Sequence, residues 1–259
     1  MTVRLRRFGS GYEGAAPKPL KGCLGVVIPV FNEVQTVGEI LRRVLAQPVV
    51  REVVVVDDGS NDGTFQLLQS WPNRDERVTV LRHNYNCGKG AAVRTGLRRM
   101  QSAVIVIQDG DLEYDPADLP RMLAVVFEKG ADVVYGSRYA GDPESTAPTW
   151  HTLANKLLTF ISNMASGSSL TDEATCYKMF RRGILERITL EEEGFGFCPE
   201  FTAKVGKLGI RIHEVPISYN GRTRAEGKKI RLRDGIDALR CIFKYNCLHT
   251  KRKRQRAAE

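Results

Sequence analysis

The chain has 259 residues, 42% of them hydrophobic, and carries a formal net charge of +9. That length is at the upper end of a single α/β domain, and the apolar content is enough to cover both faces of a sheet. No stretch approaches the roughly 18 consecutive apolar residues that cross a bilayer, which excludes a chain that spans a membrane by itself.

The basic segment Met1–Arg7 is followed by no apolar run, so a secretory signal is not expected and a cytoplasmic site follows. Residues 1–22 mix Gly, Pro, Lys and Arg without periodicity and read as a flexible leader. Between Cys23 and Tyr135, short β-branched runs alternate with helix-like segments. Strands are predicted at Leu24–Ile28, Glu52–Val56, Val78–Leu81, Ala103–Ile107 and Asp132–Tyr135. Helices are predicted at Thr36–Leu45, Thr64–Ser70, Lys89–Met100 and Pro116–Glu128. The alternation predicts one Rossmann-like, mostly parallel sheet with helices on both faces. After Gly136 the pattern loosens into a turn-rich segment Gly141–Thr149, a helix His151–Met164, and a helix and strand around Glu200–Pro216. Residues 23–136 form the nucleotide half on this reading and residues 137–246 the acceptor half, with 247–259 a basic tail.

Within Ile230–Tyr245, Leu232, Ile236, Leu239 and Phe243 recur at i, i+4, i+7 and i+11, an apolar stripe bordered by Arg231, Arg233, Arg240 and Lys244. The stripe is expected to pack on the protein's own core, a reading compatible with interfacial membrane contact if the helix lies at the domain edge. Residues 222–256 hold 13 Lys and Arg against Glu226, Asp234 and Asp237. The basicity is therefore C-terminal, and it suits a solvated tail or an anionic-lipid contact. With the rest of the chain near −1 and no cluster of stacking aromatics, nucleic acid is not expected as a partner. The six cysteines form no C-x-x-C pair and read as reduced thiols.

Three polar segments follow strand ends: Pro29-Val30-Phe31-Asn32-Glu33, Asp57-Asp58-Gly59-Ser60 and Asp109-Gly110-Asp111. In an open α/β sheet they converge on the crevice at the carboxyl edge. The last begins a run with four carboxylates in seven residues, Asp109, Asp111, Glu113 and Asp115. Repulsion among such neighbours is relieved by a hard divalent cation that also accepts phosphate oxygens. Asp115 before Pro116 reads as a helix cap, which leaves Asp109, Asp111 and Glu113 for Mg²⁺ or Mn²⁺. Gly88-Lys89-Gly90 opens a helix, where backbone N–H groups and the lysine suit a phosphate.

The series V-V-I-P-V-F-N-E, V-V-D-D-G-S-N-D-G-T, N-x-G-K-G-x-A, D-G-D-L-E-Y-x-P and G-S-R-Y closely resembles family 2 inverting glycosyltransferases of the GT-A fold, especially the dolichyl-phosphate mannose synthase-like branch. The resemblance covers about residues 23–246. It implies that Pro29, Phe31, Glu33, Asp57 and Asp58 hold the nucleoside of a UDP- or GDP-sugar, with Gly110 and Lys89 beside it. It also implies a hexose transferred with inversion to a polyprenyl phosphate at the cytoplasmic membrane face. A phosphate monoester, with a second pKa near ~6, is already anionic at neutral pH and needs cations to hold it. Arg138, Arg222, Arg224 and Lys229 are the candidates, Arg224 lying three residues before Gly227 as in the similar synthases. Two segments depart from those synthases: Gly227-Lys228-Lys229-Ile230 and Asp172-Glu173-Ala174-Thr175-Cys176-Tyr177-Lys178. The alternative acceptor is a hydroxyl of a glycan or small molecule, which calls for a general base, with Asp172 or Glu200 placed for it on the acceptor side. Many relatives carry membrane helices, so this chain is expected to use its basic C-terminus or a membrane-embedded partner subunit.

Overall fold

The computed structural model describes residues 22–141, 150–222 and 232–248. Their framework is a seven-stranded sheet in the order β3-β2-β1-β4-β6-β5-β7. The strands are β1 (Leu24–Val30), β2 (Val50–Asp57), β3 (Val78–Arg82), β4 (Val104–Ile107), β5 (Val133–Ser137), β6 (Lys178–Arg181) and β7 (Ile212–Pro216). β1 pairs parallel with β2 and β4, β2 with β3, and β5 with β7; β6 alone runs against its neighbours β4 and β5.

Alternation along the strands divides the core. Val26 and Ile28 of β1 and Val53 and Val55 of β2 point to one face, with Ile40, Leu41 and Val44 of α1 (Val37–Leu45) and Leu123 and Val126 of α4 (Leu119–Glu128). Val27, Val54 and Val56 point to the other, against Ala92, Val93 and Leu97 of α3 (Lys89–Arg99) and Phe197, Phe201 and Val205 of α6 (Phe197–Lys207). Burial on both faces explains why β1 is an unbroken apolar run rather than an alternating one. α2 (Thr64–Leu68) lies between β2 and β3 in the chain, and α5 (Trp150–Ser166) and α7 (Leu232–Phe243) pack together beyond α6.

Every helix and strand expected before Gly136 is present, with ends moved by one to three residues. Pro116–Asp118 is a 3₁₀ turn ahead of α4 instead of its first α turn, and Asp115 caps it by accepting from Ala117 N at 3.0 Å. β6 was not anticipated. Its four residues include Lys178, whose side chain is wholly buried, its Nζ donating to Glu173 O at 2.8 Å and lying 3.7 Å from the Tyr135 ring centre. A lysine in so short a segment hides the strand from any hydropathy pattern.

The C-terminal helix corrects one expectation. Ile236 and Phe243 of the apolar stripe face outward, and α7 docks through Cys241, Ile242 and Tyr245 instead. The reason is polar. Glu192 takes hydrogen bonds from Arg240 Nη2 (2.5 Å), Lys244 Nζ (2.7 Å) and the Tyr245 hydroxyl (2.7 Å), and these fix the helix about its axis. Among the described residues no helix is long and apolar enough to cross a membrane. Arg224 and Lys229 lie outside the described residues.

Candidate active site

The sheet order reverses direction between β1 and β4, and the loops that leave the carboxyl ends of β1, β2 and β4 meet there. After β1, Asn32 adopts a positive φ of 51°, a conformation asparagine tolerates. Its N–H donates to Ser60 Oγ (2.9 Å) and its Oδ1 accepts from Asn61 N (3.0 Å), so the first two loops are stitched together. Glu33 N donates to Thr64 Oγ1 at 2.9 Å, which adds a second stitch. Pro29 lies inside β1 opposite Val56, and Phe31, half-buried, follows the strand.

Asp57 ends β2 and is wholly buried. Its Oδ2 accepts from Ser60 N at 3.4 Å and faces Arg82 Nε at 3.4 Å, whereas Oδ1 has no hydrogen-bond partner among the described residues. A buried acceptor in that state is costly unless a donor reaches it. Asp58 is engaged differently. Its carboxylate accepts from Cys87 N (2.9 Å) and Gly88 N (2.8 Å) and lies 2.6 Å from His83 Nδ1, so it anchors the loop that leads into α3. Gly90, in the first turn of α3, passes so close to the neighbouring loop that a Cβ there would lie 2.3 Å from Glu192 O.

The carboxylate run after β4 is held by two cations. Lys89 Nζ donates to Asp109 Oδ1 at 2.5 Å and approaches Cys176 Sγ at 2.8 Å. Burial works against the ammonium, yet the Asp109 charge outweighs it and holds Lys89 well above the usual lysine range. Arg222 reaches Asp111 Oδ2 at 2.5 Å and both Glu33 oxygens at 3.2 Å, and its backbone N donates to Glu113 Oε1 at 2.8 Å. It is carried there by a bridge between Tyr114 and Tyr219, and the Tyr219 hydroxyl donates to Glu113 Oε2 at 2.8 Å. Burial and then the Asp109 charge push Asp111 up to about 7, with Arg222 pulling the other way. Gly110 lets this loop lie on β1: a Cβ would stand 2.5 Å from Val30 Cγ1, and its carbonyl accepts from Thr36 Oγ1 at 3.0 Å. Thr36 also donates to Glu33 Oε2 at 2.7 Å, so the residue before α1 serves the site rather than capping its helix.

Glu33, Gly110, Asp111, Glu113 and Arg222 are thus brought together, with Asp109 and Lys89 alongside and Asp57 at the end of the neighbouring strand, opposite Val30. Asp109, Asp111 and Glu113 do not close on one point. Among the described residues the tight groups of three ligand-type side chains are Asp58 with His83 and Cys87, and Glu192 with Asp237 and Cys241.

Arg138 follows β5, and its side chain is nearly wholly buried. Its Nε and Nη2 donate to the two oxygens of Asp172 at 2.7 Å each, and its backbone N adds a third bond at 3.0 Å. Its guanidinium lies 5.2 Å from the Tyr219 ring centre, which joins this pair to the Glu113 side of the site. Glu200, in the first turn of α6, is wholly buried. It accepts from Glu191 N (2.7 Å), Glu192 N (2.9 Å) and Lys204 Nζ (2.6 Å). Thr36, Cys176 and Tyr219 were not singled out from sequence; a lone threonine, cysteine or tyrosine gives no signal until the fold sets it beside a charged group, Glu33, Lys89 and Glu113 respectively.

Residues 25–189 match the family model described as glycosyl transferase family 2. The chain belongs to this family. It is a glycosyltransferase, and its relatives place it in the branch that resembles dolichyl-phosphate mannose synthases. It is 33% identical over 241 residues to a polyprenol monophosphomannose synthase of Mycolicibacterium smegmatis, covering 87% of this chain and 89% of that one. It is 33% identical over 213 residues to an undecaprenyl-phosphate mannosyltransferase of Micrococcus luteus, covering 78% and 85%. The fold is shared with glucosyl-3-phosphoglycerate synthase from Mycobacterium tuberculosis, whose complex with Mn²⁺, UDP and glucosyl-3-phosphoglycerate superposes with a TM-score of 0.64 at 17% identity, covering 87% of this chain and 80% of that one.

Proposed function

We propose that this glycosyltransferase moves a hexose from a UDP- or GDP-sugar to a polyprenyl phosphate at the cytoplasmic face of a membrane. The observation that carries the choice of acceptor is the state of its two carboxylates: Asp172 and Glu200 are both wholly buried and taken up by internal hydrogen bonds. A hydroxyl acceptor would call on one of them as a base. A phosphate monoester needs none, and the names borne by the M. smegmatis and M. luteus relatives point the same way.

The donor half follows from the strand ends. The Asp57 oxygen that lacks a partner suits an N–H or hydroxyl of the nucleoside, with Phe31 and Pro29 beside it and Glu33 toward the ribose. Lys89, at the start of α3, is the cation we set toward the diphosphate through its side chain, since the Gly88 and Ala91 N–H groups of that helix end are taken by Asp58 and Glu193 O. Asp109, Asp111 and Glu113 offer hard oxygen ligands from one loop, the type Mg²⁺ or Mn²⁺ takes; to hold the ion they would exchange Lys89, which holds Asp109, and Arg222, which holds Asp111 and Glu113. When bound, such an ion would stabilise the charge that develops on the departing nucleoside diphosphate. Arg222 lies against the same carboxylates and is the nearest cation to exchange them for phosphate oxygens. Arg138, set by Asp172, is the cation we assign to the acceptor phosphate, joined by Arg224 and Lys229. Attack from the face opposite the diphosphate inverts the anomeric centre. The lipid is reached through the basic C-terminus or with a membrane-embedded partner subunit.

The test is a donor screen with Mn²⁺ or Mg²⁺, a panel of UDP- and GDP-sugars, and a polyprenyl phosphate. Organic-extractable phosphosugar that disappears with chelator is the expected result. Nucleotide release only when a hydroxyl acceptor is supplied would keep the glycosyltransferase and remove the lipid.

A further inference from the structure

The two close groups of ligand-type side chains among the described residues have different surroundings. Around Glu192, Asp237 and Cys241 the charge is already balanced, since Arg240 pairs with both carboxylates and Lys244 with Glu192. Around Asp58, His83 and Cys87 it is not. Asp58 is buried, and among the described residues the one basic side chain paired with it is the His83 imidazole, which carries charge only when protonated. Burial and then the charges of Asp58 and Glu193 push the Cys87 thiol up, so two carboxylates face a thiol that a cation would help to ionise.

The backbone holds these three side chains in place. Asp58 follows β2, His83 follows β3, and Cys87 stands just before α3. His83 N donates to Asp57 O at 2.8 Å, and Cys87 N and Gly88 N donate to the Asp58 carboxylate at 2.9 and 2.8 Å. A Cβ at Gly59 would stand 2.5 Å from the Tyr85 carbonyl carbon, so the turn after Asp58 lies directly on the 83–88 loop. His83 Nδ1 lies 2.6 Å from Asp58 Oδ1, and its Nε2 is 3.0 Å from Thr95 Oγ1. A hydroxyl can accept from Nε2–H, which leaves Nδ1 as the bare nitrogen that a metal requires and fixes the ring from its outer side. Cys87 is half-buried, so its sulfur can be reached from solvent. Bonds of about 2.0 to 2.3 Å at tetrahedral angles put zinc ligand atoms roughly 3.3 to 3.6 Å apart. The three ligand atoms lie within 4.8 Å of one another, and they reach that spacing by small side-chain rotations that open the His83–Asp58 bond to admit the ion.

We infer that Asp58, His83 and Cys87 form a metal site of their own, a carboxylate–imidazole–thiolate set for a zinc-class ion that pins the 83–88 loop to the end of β2. Ligand chemistry separates it from the carboxylate run after β4: an all-oxygen set suits Mg²⁺ or Mn²⁺, whereas nitrogen and sulfur select Zn²⁺ and its tetrahedral analogues. Water takes the fourth position. On binding, the Cys87 S–H bond breaks, the sulfur–metal bond forms, and the proton leaves to water. The loop so pinned leads into α3, whose first residue is Lys89. The site is independent of which donor and acceptor the enzyme uses.

The test is a titration of the full chain, freed of metal and reduced, with Co²⁺ as a spectroscopic stand-in for Zn²⁺ and without nucleotide sugar. One equivalent is expected to produce the visible bands of tetrahedral cobalt together with a sulfur-to-cobalt charge-transfer band. Zn²⁺ should abolish both, and excess Mg²⁺ should leave them unchanged. Cys87→Ser is expected to remove the charge-transfer band and weaken Co²⁺ binding about ten-fold or more. If that variant fails to fold, the wild type still decides: Zn²⁺ should slow alkylation of Cys87 by iodoacetamide, read by mass on its peptide, while Cys23 reacts at an unchanged rate. No charge-transfer band in the wild type, a band that persists in Cys87→Ser, or Zn²⁺ that leaves Cys87 alkylation unchanged would overturn the inference. So would a band that Cys241→Ser removes, since the ion would then sit with Glu192 and Asp237, or cobalt bands that Mg²⁺ abolishes, since the ion would then sit on the carboxylate run after β4.

Discussion

Asp111 is pressed from two sides, by burial and by the neighbouring charges of Asp109 and Glu113, while Arg222 supplies the opposing attraction. Replacing it with asparagine keeps the shape and removes one like charge. Asp111→Asn is therefore expected to abolish transfer with no loss of melting temperature in metal-free buffer; full metal-dependent activity in that variant would remove Asp111 from the metal set. The Arg138–Asp172 pair behaves in the opposite sense. Both members are buried and the pair is bidentate, so Asp172→Asn leaves a guanidinium without its counter-charge, at a cost of about 3 kcal/mol or more in urea denaturation. A double change, Arg138→Met with Asp172→Leu, is expected to recover most of that stability while transfer stays lost, which separates the pair's contribution to folding from the role in transfer that we propose for it. At this scale the acidic residues were legible because four carboxylates in seven residues demand a partner. Arg222 was legible only as a spare cation: its position depends on the Tyr114–Tyr219 bridge, a contact across 105 positions that no local pattern encodes.

Elements were legible where one physical signal dominated. β1 and β2 each hold a run of consecutive β-branched residues, Val26–Ile28 and Val53–Val56, and α1 places Val37, Ile40, Leu41 and Val44 on a single face. β6 was hidden because burying Lys178 depends on Glu173 O and the Tyr135 ring, both supplied by tertiary structure. The face of α7 was misread for a related reason. Ile236 and Phe243 looked core-directed on a helical wheel, but Glu192, distant in sequence, claims Arg240, Lys244 and Tyr245 and turns the helix. Burial disfavours the charge on Glu192, yet the hydrogen bonds from Lys244, Tyr245 and Arg240 outweigh it and hold the carboxyl down at about 2. A depressed carboxyl contributes stability that is complete above its unfolded value of roughly 4.3 and is lost as pH falls through the folded one. Amides of α7 are therefore expected to lose hydrogen-exchange protection between about pH 4 and 2, and Glu192→Gln to show that weakened state already at pH 7. Equal protection in the two proteins at pH 7 would show that the apolar contacts of Cys241, Ile242 and Tyr245 hold the helix unaided.

For the molecule as a whole, the sheet order decides where function sits. Reversal between β1 and β4 brings together the loops after Val30, Asp57 and Ile107, and the parallel β5 adds Arg138 at the same edge. This convergence was legible before any coordinates, since strand–helix alternation fixes the carboxyl edge as the ligand side. The second half of the chain was less so, because it is assembled from α5, β6, β7 and the 217–222 segment, whose contacts are long-range. The most direct test of the central claim is a calorimetric titration of UDP and GDP into the full chain, with Mn²⁺ and then with chelator, for the wild type and Asp57→Ala. One nucleotide is expected to bind only with the metal present, and Asp57→Ala to weaken it by about ten-fold, the loss of one charge-assisted hydrogen bond. Binding of neither nucleotide, or binding that is indifferent to both metal and Asp57, would contradict a nucleotide-sugar site at these strand ends.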